Sequence, residues 1–356
     1  MARTFPTVLL CIALAGCARH APPPTTSYRK IDVHTHISPG AAGRAVALMD
    51  KQGIAVAVNL SGFSPGKGLE QQLAEAARYP GRIYVFSMLD WDEAQSGPGY
   101  GARMAEQVTR AKQLGARGIK IPKGLGLGYV DWTGRLIAVD DPELDPIFER
   151  AGELGLPVAI HVGDPVAFWQ PPTPDNERYD ELSVHPHWSY YGRPVPSWEE
   201  LWGALERRIA RHPHTTFISV HFGNAPEYPE RVGALLDKYP NLYVDTAARV
   251  PELGRRPDAV RAVFLRHPDR ILFGTDLGVG LDPRDLMLGS TGATPPTDAD
   301  TDHYYASTWR FFETRDRGFA SPTPIQGRWS IDGIGLPPEI LRQLYAGNAE
   351  KLLGPL

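Results

Sequence analysis

Cysteine is nearly absent. The chain of 356 residues holds two, Cys11 and Cys17, both close to its start. The body of the protein therefore has neither a disulfide framework nor a cysteine metal site, and any metal there must be held by histidine, carboxylate or a modified lysine. An excess of basic charge is also missing. The 37 Lys and Arg fall short of 41 Asp and Glu, for a net charge of −4, which leaves no electrostatic footprint for a nucleic acid. No Gly-x-Gly-x-x-Gly turn follows the first strand candidate, which argues against a doubly wound dinucleotide-binding sheet. The apolar stretch Thr7–Ala15 is too short to span a bilayer as a helix.

That stretch follows Arg3 and ends in Leu14-Ala15-Gly16-Cys17, the layout of a targeting segment. It resembles the bacterial lipoprotein signal, in which cleavage before the cysteine leaves Cys17 to carry lipid. The expectation is a signal peptide over residues 1–16 and a stiff proline-rich tether over 17–29, built on Ala21-Pro22-Pro23-Pro24. The protein is then exported to the cell envelope, probing the membrane only through its lipid. An ordinary secretory signal cut near Ala15 or Ala18 is the alternative.

From residue 30 to 356 the pattern is repetitive and reads as one domain. Strand candidates are Lys30–His34, Ala55–Leu60, Ile83–Met88, Gly118–Pro122, Pro157–Val162, Thr216–His221, Leu242–Asp245 and Ile271–Thr275. Most are continuous apolar runs, as expected of parallel strands covered on both faces. Helical patterns separate them: Ala41–Gln52, Leu69–Arg78, Arg103–Leu114, Pro142–Leu154, Ser197–His212, Ala225–Lys238, Asp258–His267 and Pro338–Leu353. Asp141-Pro142 reads as an N-cap with proline at the first helical position, and Ser197 with Glu200 has capping-box spacing. This alternation predicts an α/β fold, a (β/α)₈ TIM barrel. Two connections are unusually long, one after the fifth strand (163–196) and one after the eighth (277–336). They hold Phe168, Trp169, Tyr179, Trp188, Tyr190 and Tyr191 in the first and Tyr304, Tyr305, Trp309, Phe311, Phe312 and Trp329 in the second. These aromatics either pack on the rim or wall a ligand pocket; Trp169 is a candidate for the pocket.

The chemistry gathers at strand ends. In Ile31-Asp32-Val33-His34-Thr35-His36 the two histidines share one side of a strand. His161 ends the fifth strand, His221 the sixth, Asp276 follows the eighth, and Lys120 lies in the fourth. In a barrel these ends converge on one mouth. Arg249, just past the seventh strand, lies there too and either binds an anionic substrate or makes a rim salt bridge. Asn224 in His221-Phe-Gly-Asn224 shapes a loop.

Together, Ile-Asp-Val-His-Thr-His, Phe273-Gly-Thr-Asp276 and Tyr345-Ala-Gly-Asn348-Ala resemble the amidohydrolase superfamily over roughly Lys30 to Leu353. Within it they resemble the amidohydrolase-related group, which includes zinc-dependent decarboxylases of aromatic or muconate-type acids. The resemblance implies that His34, His36, His161 and Asp276 hold a divalent metal, usually zinc. It also implies that Asp276 is the general base and that His221 either ligates a second metal or polarises the substrate. Lys120 separates two subtypes: carboxylated, it bridges two metals; unmodified, it binds a substrate carboxylate. The expected activity is hydrolysis of a carbonyl or lactone carbon in a small molecule by zinc-activated water. Non-oxidative decarboxylation is the alternative, and a non-catalytic ligand-binding barrel a third possibility.

Overall fold

The computed structural model describes residues 28–354 together with Met1. The signal segment, Cys17 and the tether through Ser27 lie outside the described residues. Eight parallel strands run in chain order around one curled sheet. They are β1 (Ile31–Ile37), β2 (Val56–Asn59), β3 (Ile83–Ser87), β4 (Gly118–Ile121), β5 (Val158–Ile160), β6 (Phe217–Ser219), β7 (Leu242–Asp245) and β8 (Ile271–Leu272). The chain after β8 closes the barrel. Val33 N–H donates to Phe273 O at 3.0 Å and Asp276 N–H donates to His34 O at 2.9 Å. A short ninth strand, β9 (Leu277–Val279), then runs parallel to Thr35–Ile37. The fold is a TIM barrel, as the alternation predicts.

Period two decides what faces inward. In β4, Ile119 and Ile121 belong to the large core shared with the surrounding helices, so Lys120 points the other way, into the barrel. In β5, Val158 and Ile160 face outward in the same manner, leaving Ala159 and the following His161 inside. In β7, Leu242 and Val244 face the helices, which places Tyr243 and Asp245 on the inner face. An alternating strand with one face packed on helices thus carries each polar residue to the barrel mouth.

The expected eighth strand, Ile271–Thr275, is cut short. It breaks after Leu272 because Gly274 passes against His34 and Asp276 takes a left-handed backbone, with φ of 66°. The predicted helix at Pro142 begins as a single 3₁₀ turn, Pro142–Leu144, before the α-helix Asp145–Glu153; Asp141 caps it by accepting Glu143 N–H at 3.1 Å. The capping box at Ser197 and Glu200 forms and opens the helix Trp198–Arg211.

The long connection 277–336 carries secondary structure of its own. β9 pairs with β10 (Leu286–Leu288) as a hairpin, and a helix spans Asp300–Glu313. Tyr304, Tyr305, Thr308, Phe311 and Phe312 are all buried on one face of that helix, at helical spacing. Trp309 packs on Phe273 at 5.2 Å and Phe312 lies 6.2 Å from Tyr345. These aromatics therefore build core between the helix and the barrel. Among the described residues no helix is long and apolar enough to cross a membrane.

The last helical run, Pro338–Leu353, contains a π-turn at Gln343–Gly347. Its Asn348 donates to Pro268 O at 2.9 Å and to Ile271 O at 2.8 Å, tying the chain's end to the start of β8. Asn348→Ala removes both donors and leaves buried carbonyls short of a partner, so it should cost about 2 kcal/mol. Urea unfolding of the variant against the parent measures it.

Candidate metal centre

β1 carries His34, fully buried, and His36, whose side chain is 30% exposed. His34 is held from two sides. Its Nδ1–H donates to Asp245 Oδ2 at 2.8 Å, since a carboxylate can only accept. Its Nε2 therefore bears the lone pair, faces Asp276 Oδ1 at 3.4 Å, and has no hydrogen-bond partner among the described residues. His36 Nε2 approaches the same Asp276 oxygen at 3.1 Å, while its Nδ1 meets Ser61 Oγ at 2.7 Å. His34, His36 and Asp276 thus offer three ligand atoms within 4.8 Å of one another. A buried imidazole lone pair aimed at a carboxylate oxygen is unfavourable unless a cation lies between them. Two imidazoles and a carboxylate suit a divalent metal such as zinc, so the residues present fit the metal expected from the sequence.

The remaining histidines extend the cluster. His221 lies 4.8 Å from His34 and His161 lies 4.3 Å from His221, ring centre to ring centre. His221 donates Nδ1–H to Ala247 O at 2.9 Å, which leaves its Nε2 as an electron-pair donor. His34, His221 and Asp245 form a second convergent group, all buried. His161, expected as the fourth ligand, packs against His221 of the second group, and its Nε2–H donates to Gly163 O at 3.0 Å.

The electrostatics favour neutral rings at His161 and His221 and an ionised Asp276. Burial, with Lys120, Lys123 and Arg249 adding to it, holds His161 well below the usual histidine range. Burial and then His161 and Arg249 do the same for His221. Burial pushes Asp276 upward, but the hydrogen bond from His36 and the charges of His34, His36 and Lys120 outweigh it, so the carboxylate stays ionised.

Two cations complete the mouth. Lys120 is 3% exposed, its Nζ has no partner among the described residues, and burial brings it down to about 8 against the pull of Asp245 and Asp276. Arg249 is 4% exposed; one Nη1–H donates to Ala248 O, and Nε lacks a partner among the described residues. Trp169, expected as a pocket wall, lies in the connection after β5. Its indole N–H donates to Pro196 O at 3.0 Å and its ring packs on Tyr190 at 4.5 Å, so it secures the loop after β5. Asn224 adopts a left-handed backbone (φ 52°) at the end of the turn begun by His221, in keeping with a loop-shaping role.

Sequence reasoning missed Asp245. The available signal was positional: it is the last residue of a strand, as Lys120 and His161 lie at the ends of theirs. It also missed the acids beside Arg249. Glu252 is buried, with Oε1 paired to Arg178, and Glu227 accepts Val166 N–H at 3.1 Å.

The fold and this cluster define a class: TIM-barrel proteins with a candidate divalent-metal centre at the strand C-termini. A family model, Amidohydrolase, matches residues 31–354, and the chain belongs to that family. Its fold is shared by 2,6-dihydroxybenzoate decarboxylase from Rhizobium, 16% identical with a TM-score of 0.53, covering 92% of this chain and 98% of that one. It is shared by an uncharacterized TIM-barrel protein from Bordetella bronchiseptica (17%, 0.52; 91% and 98% covered). The 5-carboxyvanillate decarboxylase of Sphingomonas paucimobilis is a further match (13%, 0.51; 92% and 100%). A comparison with curated proteins finds no match.

A Cβ at position 274 would sit 2.9 Å from His34 Cβ, so Gly274→Ala must displace His34 and should weaken metal binding about tenfold, read by chelator competition. Burial, then the charge of Glu252, raises Glu227 to about 7 from 4.5. A raised folded-state pKa means stability is full below pH about 4.5 and lost as pH climbs through about 7. Melting curves from pH 5 to 8 should fall for the parent relative to Glu227→Gln, by on the order of 2 kcal/mol.

Proposed function

We propose that the chain is a metal-dependent hydrolase acting on a carbonyl or lactone carbon of a small anionic substrate. The observation that carries this reading is the buried His34 Nε2, without a hydrogen-bond partner among the described residues, facing Asp276 beside His36. When bound, a divalent cation there supplies Lewis acidity to the carbonyl oxygen and to the attacking water. Asp276, ionised and at the mouth, takes a proton from water and returns it to the leaving group. His221, neutral with its lone pair on Nε2, acts as a proton acceptor or a ligand and not as an electrophile. Lys120 Nζ and Arg249 Nε, two buried cations with open valences, favour a substrate with carboxylate character.

The same two cations support decarboxylation of an aromatic or unsaturated acid as the second reading, because they would grip a carboxylic acid equally well. The family includes both reaction types. We also retain the proposal, supported by Leu14–Cys17, of export with a lipid on Cys17. Cys17→Ala should then move the protein from the detergent fraction to the soluble one, and an unchanged distribution would contradict it.

Activity separates the readings. Carboxylate-bearing lactones and esters, and aromatic and unsaturated acids, are assayed for acid release and for CO₂. The proposal expects acid release without CO₂. Asp276→Asn should retain most of the fold and lose about 10²–10⁴ in kcat. CO₂ release from an acid would establish the second reading. Full turnover in a chelated, metal-free sample would overturn both.

A further inference from the structure

Asp245 uses both carboxylate oxygens, and it uses them on two different parts of the candidate centre. Oδ2 accepts His34 Nδ1–H at 2.8 Å. Oδ1 accepts two backbone N–H groups, His221 at 2.7 Å and Ala247 at 3.1 Å. The residue is 1% exposed and closes β7. The backbone it holds at His221 is unusual. His221, Phe222, Gly223 and Asn224 have φ of 56°, 56°, 67° and 52° in succession, a left-handed run that three of the four side chains disfavour. Such a run persists only where its surroundings enforce it, and the Oδ1 contact pins its first residue.

Asp245 also falls within the convergent group His34, His221 and Asp245, which makes it a possible ligand. Its contacts argue otherwise. Oδ1 already faces two N–H groups and Oδ2 faces the Nδ1–H of His34, so one lone pair of Oδ2 is all that remains for a metal, and an ion shared with His34 Nδ1 would cost that ring its Nδ1 proton. We propose instead that Asp245 is a positioning residue. It holds His34 in the Nδ1–H tautomer, so that Nε2 is the electron pair presented to the metal, and the same carboxylate fixes the turn that presents His221. The inference rests on the metal-centre reading above.

Asp245→Asn tests it with almost no change of shape. Asparagine has one carbonyl oxygen and one NH₂. With the oxygen kept on the His221 and Ala247 N–H groups, the NH₂ faces His34 Nδ1 and makes that atom an acceptor. The ring proton then moves to Nε2, where it blocks the metal. The readouts are thermal unfolding, zinc affinity by chelator competition, and the ring-nitrogen tautomer of His34 by ¹H–¹⁵N NMR of the metal-free full chain. The expected result is a folded variant with zinc affinity lowered about 10–100-fold and the His34 proton moved from Nδ1 to Nε2. Unchanged zinc affinity in the folded variant would overturn the proposal. So would loss of zinc as complete as in His36→Ala, which would make Asp245 a ligand. Should the variant fail to fold, the parent protein decides: an Nε2–H tautomer of His34 in its metal-free spectrum contradicts the role, and Nδ1–H upholds it. A parent that binds no zinc sinks the metal-centre reading, while its NMR tautomer still reports on Asp245.

Discussion

A single imidazole caught between two carboxylates organises the mouth of this barrel. His34 gives its Nδ1 proton to Asp245 and turns its Nε2 lone pair toward Asp276. Each contact brings in another strand: Asp245 arrives on β7, Asp276 on the segment that closes the barrel against β1. The approach is possible because Gly274 has no side chain where His34 must pass. The barrel's closure and the cluster's geometry thus depend on the same few residues. A change that shifts β1 relative to β8 disturbs both.

The mouth carries features that stability alone does not favour. Non-glycine residues with left-handed backbone gather there: His221, Phe222, Asn224, Ala248 and Asp276. Lys120 is buried without a hydrogen-bond partner among the described residues, and Glu252 and Glu227 are both pushed upward by burial. Strain and unpaired charge concentrated at one end of a fold mark the place where binding matters more than packing. The opposite end shows the reverse. Lys30, at the entry to β1, lies 4.8 Å from the Trp309 ring and 5.2 Å from that of Tyr345, and the last helix is tied down by Asn348.

Most of the barrel was legible in the sequence because parallel strands covered on both faces are short apolar runs, and helices between them keep a 3.6-residue period. Leu242–Asp245 was read to the residue. The eighth strand was read too long, because its break is set by a glycine contact and a left-handed aspartate that only the closed barrel imposes. The aromatics of 304–312 sit inside a long connection, and their helical spacing becomes meaningful only once the helix Asp300–Glu313 packs on the barrel. Within the site, His34, His36 and Asp276 were visible as a motif and come together. Asp245 was not, since a lone aspartate at a strand end looks like a cap until the histidine it touches, 211 positions earlier, is known. The contacts of Trp169 with Pro196 and Tyr190 are likewise invisible in the sequence. His161 enters the ligand set by resemblance alone, and its contacts to His221 and Gly163 are local features that spacing does not reveal.

The central claim is that the space bounded by His34 Nε2, His36 Nε2 and Asp276 Oδ1 is made for a cation. Metal content per chain tests it most directly, determined by elemental analysis on protein purified without added metal and again after reconstitution and dialysis. About one equivalent of a divalent metal such as zinc, removable by chelator and absent from His36→Ala, is the predicted result. About two equivalents would extend the centre to Lys120. No bound metal, even after reconstitution with zinc, manganese or cobalt, would contradict the account.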